Sequence, residues 1–395
     1  MRPIHRVFLH FRLLILILLV ACQPAEGANT VPNLNITYLK MFDGKHGWAL
    51  LDSGLKEQQK EYIVNTSDGG NTWHNVTPSQ WSSGFPFNSS LEASDAQTAW
   101  AFPSGNETGK IWRTIDGGQT WDASKPIAFG LQYYAPFLHF VNSKDGWLMA
   151  QLLPINSESY NVWFQTADGG LNWQPVGWSQ SLVCDLQSEA TCQYLFTAEK
   201  IGFGGYTSFS DLPLSKVQGA PAWEVKRTIN GGASWTSIRL TIPPDLIESF
   251  GQNLDSPDTY DVTRDLTSFG PNLIEVKIDV WLQGSGMHKD YRYFSADQGN
   301  SWHSFSVAEG SEPFFLNAEN GWRFFETNGS YSLDRTIDSG ATWETVAANL
   351  PWRGQLLFVD EKNGWATLWS NKNWHLAHTT DGGHTWMILN PVVVQ

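Results

Sequence analysis

The sequence holds only three cysteines in 395 residues. One of them, Cys22, ends an apolar run, and the spacing of the other two, Cys184 and Cys192, excludes a CxxC redox or zinc element. Basic residues are also scarce: 25 Lys and Arg stand against 39 Asp and Glu, a formal charge of −14. Such an imbalance disfavours nucleic acid and anionic lipid headgroups as partners and leaves neutral glycans, cations and basic protein patches. No GxSxG, HExxH, P-loop or dinucleotide fingerprint is present, so no motif announces a catalytic class, a metal or a cofactor. What the chain does have is 21 tryptophans and 35 glycines. That pairing suggests many short strands and turns carrying a recurrent aromatic.

The N-terminal residues stand apart from this pattern. Arg2, Arg6 and Arg12 precede the apolar run Leu13–Ala21, which is too short to span a bilayer as a mature helix. The run ends in Leu19-Val20-Ala21-Cys22, which resembles a bacterial lipobox and implies cleavage before a diacylated Cys22. The expected organisation is a signal peptide over residues 1–21, a lipidated tether over 22–32 and one folded unit over 33–395. The mature chain would be extracytoplasmic, held at the membrane only by its lipid, and would balance 22 basic against 39 acidic residues, or −17. In an exported protein the remaining pair, Cys184 and Cys192, reads as a disulfide closing a small loop, with a modest effect of about 2–3 kcal/mol.

From Thr66 onward one motif recurs: TSDGGNTW, TIDGGQTW, TADGGLNW, TINGGASW, SADQGNSW, TIDSGATW and TTDGGHTW. Its acidic position is Asp68, Asp116, Asp168, Asn230, Asp297, Asp338 and Asp381, at separations of 48, 52, 62, 67, 41 and 43 residues. A Gly-Trp element keeps step upstream, at Trp48, Trp147, Trp322 and Trp365. Ala99-Trp100 and Gly202-Phe203 are weaker copies, and the fifth unit has none; the alternating stretch 273–283 holds its place as a half-buried strand. The last unit parses into four strands joined by Asn-Gly and Asp-Gly-Gly turns. The expected fold is an all-β, seven-bladed β-propeller of four-stranded antiparallel blades. Either Pro32–Asn35 or Asn390–Gln395 completes a sheet where the ring closes.

The motif S/T-x-D-x-G-x-T/S-W resembles the Asp-box, or BNR repeat, found in sialidases, sortilin-type receptors, xyloglucan-degrading hydrolases and photosystem II assembly factors. The resemblance covers nearly the whole mature chain and implies the propeller fold; it does not select one activity. The chemistry of the box is that of a turn: a short carboxylate accepts hydrogen bonds from nearby backbone amides, and the second glycine suits a positive φ. Asn230 keeps the acceptor without the charge, and calcium would need several oxygen ligands close together, so no metal site is expected.

The family's sialidases use an arginine triad, which the eight arginines of the mature chain do not match in placement. A glycosidase would need two suitably spaced carboxylates, with candidates among Asp211, Asp255, Asp258, Asp261 and Asp265 in acidic loops. His375 and His378 lie three apart on a strand and so face opposite sides. Long connections after the boxes, by contrast, crowd one mouth of the ring. They carry Trp81, Phe85, Phe87, Tyr133, Tyr134, Trp178 and Tyr206, with Trp352 and Arg353 in the short link before the last unit. Aromatics there stack on sugars or anchor a protein. The expectation is a monomeric, non-catalytic binding or scaffold module. Its nearest resemblance, to the assembly factors, implies a protein partner; a neutral glycan is the alternative, and a divergent glycoside hydrolase a third.

Overall fold

The repeat register of the sequence reappears strand by strand in the computed structural model. It describes residues 35–394 except 53–59, 82–88, 104–107, 130–132, 156–157, 177–191, 207, 210–221, 251–259, 269–272, 283, 285, 308–310, 312, 328 and 371–372. Seven antiparallel sheets follow one another along the chain, each ordered simply from its first strand to its fourth. The protein is an all-β, seven-bladed propeller with four-stranded blades. Blade 7 shows the unit: Gly354–Phe358, Gly364–Ser370, Asn373–Thr379 and Met387–Leu389.

Local chemistry sets the turns at one end of the blades. Between first and second strands of blades 1, 2, 3, 6 and 7 an Asp or Asn side chain accepts the amides two and three residues on. Asp43 does so from Lys45 and His46, both at 2.7 Å, and Asp360 from Lys362 and Asn363 at the same distance. Between third and outer strands lies the Asp-Gly-Gly turn. In blade 5 the Asp297 carboxylate accepts from the Ser295 hydroxyl at 2.8 Å, the Asn300 and Ser301 amides at 3.0 and 2.9 Å, and the Ser301 hydroxyl at 2.6 Å. Asn230 reproduces this without charge, its Oδ1 accepting from the Ser234 amide at 2.9 Å and its Nδ2 donating to the Ser234 hydroxyl at 2.8 Å. The second glycine has positive φ in every copy. The first position admits Gln298 and Ser339 at φ of 60° and 62°. At Gly118 a Cβ would also lie 2.6 Å from Val76.

The Gly-Trp element joins blades to one another. Each of its indoles is buried and faces the next blade. Trp100 stacks on Phe140 at 3.8 Å, Trp147 on Phe196 at 4.2 Å and Trp322 on Phe358 at 3.8 Å. The box tryptophan of the following blade meets that phenylalanine edge-on, as Trp173 meets Phe140 and Trp386 meets Phe358. The indole nitrogens of Trp100 and Trp322 donate to the first-glycine carbonyl of the next turn, Gly169 at 2.8 Å and Gly382 at 3.0 Å.

Closure uses the same bond. Trp365 of blade 7 donates to Gly69 of blade 1 at 3.0 Å. In addition Val392–Val394 pairs in parallel outside the outer strand of blade 1, with Val393 opposite Trp73. The C-terminal segment is therefore the one that completes a sheet.

Three connections differ from the loops expected. Tyr133 and Tyr134 belong to the first strand of blade 3, Tyr133–Phe140, and Tyr206 ends the second strand of blade 4, Gly202–Tyr206. Pairing across the sheet, Tyr133 with Leu152 and Tyr206 with Cys192, extends these strands past the point where hydrophobic patterning ends. Asp261 and Asp265 likewise lie in the first strand of blade 5, Tyr260–Ser268, which is itself flanked by Ser208–Phe209 from blade 4. The link into blade 5 forms a short helix, Pro244–Phe250, whose Leu246 is buried and whose Asp245 accepts the Tyr291 hydroxyl at 2.8 Å.

Candidate functional site

Of the aromatics proposed from loop length, Trp81 and Trp352 are those whose side-chain surroundings the structure describes. Trp81 is half-buried against the cluster around Trp48 and Leu50. Trp352 is half-buried and meets Phe324 and Trp386 edge-on, at 5.7 and 5.6 Å. Arg353 is exposed, its guanidinium 5.7 Å from the Tyr331 ring. Cys22, Phe85, Phe87, Trp178, Cys184, Asp211, Asp255 and Asp258 lie outside the described residues.

Among the described residues, the interface between blades 5 and 6 departs from the repeat. In blade 1, Gly47 pairs with Thr66 and Trp48 with Asn65; in blade 5, Ile274 pairs with Ser295 and Glu275 with Phe294. Glu275 therefore occupies the position of the interblade tryptophan. The second strand of blade 5, Ile274–Leu282, alternates strictly. Val276, Ile278 and Val280 bury into the core shared with blade 4, while Glu275, Lys277, Asp279 and Trp281 point the other way, to blade 6. The third strand, Met287–Ser295, adds His288, Asp290 and Arg292 to that face through the pairs Trp281–His288, Asp279–Asp290 and Lys277–Arg292.

These side chains form a line of alternating charge. Glu275 pairs with Arg292 at 3.2 Å, Arg292 lies 3.5 Å from Asp290, and Lys277 stands 3.9 Å from Asp290 and 3.4 Å from Asp279. His288 approaches Asp279 at 3.4 Å, and the Thr263 hydroxyl donates to it at 3.3 Å. Across the gap Arg323 of blade 6 pairs with Asp334 at 3.5 Å and lies 4.3 Å over the Trp343 ring. Burial pushes Asp290 up to about 7, with Arg292 opposing and Asp279 assisting. Burial also raises Glu275 above the usual carboxylate range, against the pull of Arg292.

With Glu275 in place of the interblade aromatic, the two blades part above a base of Phe294, Phe315 and Trp343, leaving a cleft of about 1470 Å³. It runs from Gly340 and Trp343 near the Asp-Gly-Gly turn to Trp281 and His288 at the mouth, and on to Trp352 and Arg353. Trp281 stands at its lip, 48% exposed, with His288 stacked on one face at 3.9 Å. Among the described residues no cluster of three or more His, Cys, Asp or Glu could hold a metal ion. The cleft was legible in principle. A middle strand is covered on both faces in a propeller, so charge on one face of 274–282 marks an interface that does not close.

No family model matches the chain, and no curated protein matches it. Solved structures do match, at the level of fold. A glycoside hydrolase family 74 xyloglucanase from Xanthomonas campestris aligns at TM-score 0.50 and 9% identity, over 93% of this chain and 55% of that one. The polysaccharide lyase Uly1 aligns at 0.51 and 8% identity, over 87% of this chain and 89% of that one. A puromycin-hydrolysing peptidase of Mycobacterium tuberculosis aligns at 0.52 and 11% identity, over 92% and 54%. The chain thus spans just over half the length of the xyloglucanase and of the peptidase; what it shares with all three is the propeller.

Proposed function

We propose that this chain is an extracytoplasmic binding module, anchored through lipidated Cys22, whose ligand-binding surface is the cleft between blades 5 and 6. One observation carries the reading: the repeat that seals the other blades is broken at Glu275, and an open, charged and aromatic groove stands in its place. Clefts at the junction of rigid elements are where ligands bind, and the ring fixes both walls. The Asp-Gly-Gly turns supply the scaffold.

The ligand class divides the neighbours. Two are named for polysaccharides and one for peptide hydrolysis, and at this identity none transfers its activity. The resemblance to assembly factors implies a protein partner and the second reading is a neutral glycan; Trp281 and Met287, exposed at the ends of the second and third strands of blade 5, are placed to meet either. The test is to titrate residues 33–395 and the Trp281→Ala variant against glycans and candidate envelope proteins. The reading predicts a ligand whose affinity falls at least tenfold in the variant. A ligand bound with unchanged affinity by Trp281→Ala overturns the assignment of the cleft. The anchor is checked separately by mass spectrometry of the mature N-terminus; a start other than diacylated Cys22 refutes it.

A further inference from the structure

The cleft's own chemistry narrows the ligand, on the reading that the cleft is the binding surface. Trp281 offers one indole face to solvent while His288 supports the other. An exposed, backed indole matches the apolar face of a pyranose ring. Deeper in, hydrogen-bonding capacity is left unused. Asp290 Oδ1 and Arg292 Nε lie 3.5 Å apart and His288 Nε2 lies 3.4 Å from Asp279, ion pairs too loose to count as hydrogen bonds. Such long contacts leave room for a hydroxyl that arrives with the ligand to complete them.

Donors and acceptors alternate along this wall. Lys277 can donate between two carboxylates that sit directly across neighbouring strands. Vicinal hydroxyls, each both donor and acceptor, complement such a row. Charge argues for a neutral chain. The formal charge of −14 repels a polyanion, and on the blade 5 wall Lys277 and Arg292 are each held between carboxylates; Lys289, Arg323 and Arg353 are the cleft's further cations. Size argues for several rings, because about 1470 Å³ exceeds the roughly 300–1,000 Å³ of a site for one small molecule.

We propose that the cleft between blades 5 and 6 binds a neutral polysaccharide chain, one ring stacked on Trp281 and the adjoining ring hydrogen-bonded by Asp279, Lys277 and Asp290. The experiment is isothermal titration of residues 33–395 with soluble xyloglucan, arabinan and laminarin, and with polygalacturonate as the acidic comparison. At least one neutral polymer should bind. Trp281→Ala should weaken it at least tenfold and Asp279→Asn at least fivefold, while Ile229→Ala, on the opposite end of the ring, leaves it unchanged. Both cleft variants are checked for an unchanged melting temperature; Trp281 is exposed enough to be truncated without loss of the fold. Failure of every neutral polymer to bind overturns the proposal, as does preference for polygalacturonate. If an acidic polymer or a protein binds instead and Trp281→Ala abolishes it, the cleft remains the binding surface and only the neutral-sugar assignment falls. Binding indifferent to Trp281 and Asp279 overturns both.

Discussion

Replacing Asp290 by Asn tests the electrostatics of the cleft directly. The wild-type wall sets three acids, Glu275, Asp279 and Asp290, against Lys277 and Arg292, with Asp290 buried and raised to about 7. The sign follows from linkage. A carboxyl whose folded value lies above its unfolded one, near 3.9, takes up a proton on folding, so its contribution is full below about pH 4 and is lost as pH rises towards 7. Three units at about 1.4 kcal/mol each bound the loss at about 4 kcal/mol; relaxation and water entry around the ionised group in an open cleft bring the expected figure to about 2 kcal/mol. The amide introduced by Asp290→Asn cannot ionise, and it leaves Glu275 matched to Arg292 and Asp279 to Lys277. Asp290→Asn should therefore lie close to wild type at pH 5 and be more stable by about 2 kcal/mol at pH 8. Urea midpoints at unit pH steps measure this. A difference between the two proteins that stays constant from pH 5 to 8 would refute the raised carboxyl, and a variant that is less stable at pH 8 would show that Asp290 is needed as an anion.

Trp365→Phe removes the bond to the Gly69 carbonyl that joins blade 7 to blade 1 and leaves that buried acceptor unpaired; the expected loss is about 2–4 kcal/mol in chemical denaturation, and a loss below about 1 kcal/mol would mean that Val392–Val394 alone closes the ring. In the fifth Asp-Gly-Gly turn, Asp297→Ala should cost about 1–2 kcal/mol while Asp297→Asn, following Asn230, stays within about 0.5 kcal/mol; equal costs would make the charge itself the stabilising element. Hydrogen bonds from the Ser301 hydroxyl and amide hold Asp297 down to about 2, so its contribution is present above the ordinary carboxylate value and is lost as pH falls from about 4 through 2. An acid-unfolding midpoint in Asp297→Asn indistinguishable from wild type would contradict this.

Much of the fold was written in the repeat. Seven copies of the Asp-or-Asn turn, four of them Asp-Gly-Gly, place seven third-to-outer connections, and the tryptophans that keep step with them mark the interfaces they later seal, as Trp322 does against Phe358. Closure was only half legible, because Val392–Val394 pairs in parallel with a strand near the other end of the chain, a contact that local patterning does not encode. The proposed cleft was legible in part. Loop length directs attention to the mouth, where Trp352 and Arg353 line it, while Tyr133 and Tyr206 extend strands and the blade 5 wall carries no loop signal. The informative signal lay inside a strand: the alternation of 274–282 put Glu275, Lys277, Asp279 and Trp281 on one face. What sets the cleft apart is Glu275 at a position that is tryptophan, or Phe203 in blade 4, in the other blades, and that substitution is visible only once the copies are aligned.

Hydrogen exchange with and without a saturating polysaccharide ligand tests the central claim most directly. If the cleft between blades 5 and 6 is the binding surface, protection should concentrate on the mouth-side ends of the Ile274–Leu282 and Met287–Ser295 strands and on the link around Trp352. Protection confined to the Asp-Gly-Gly turns around Asp68, Asp116 and Asp168, with those strands unchanged, would contradict it.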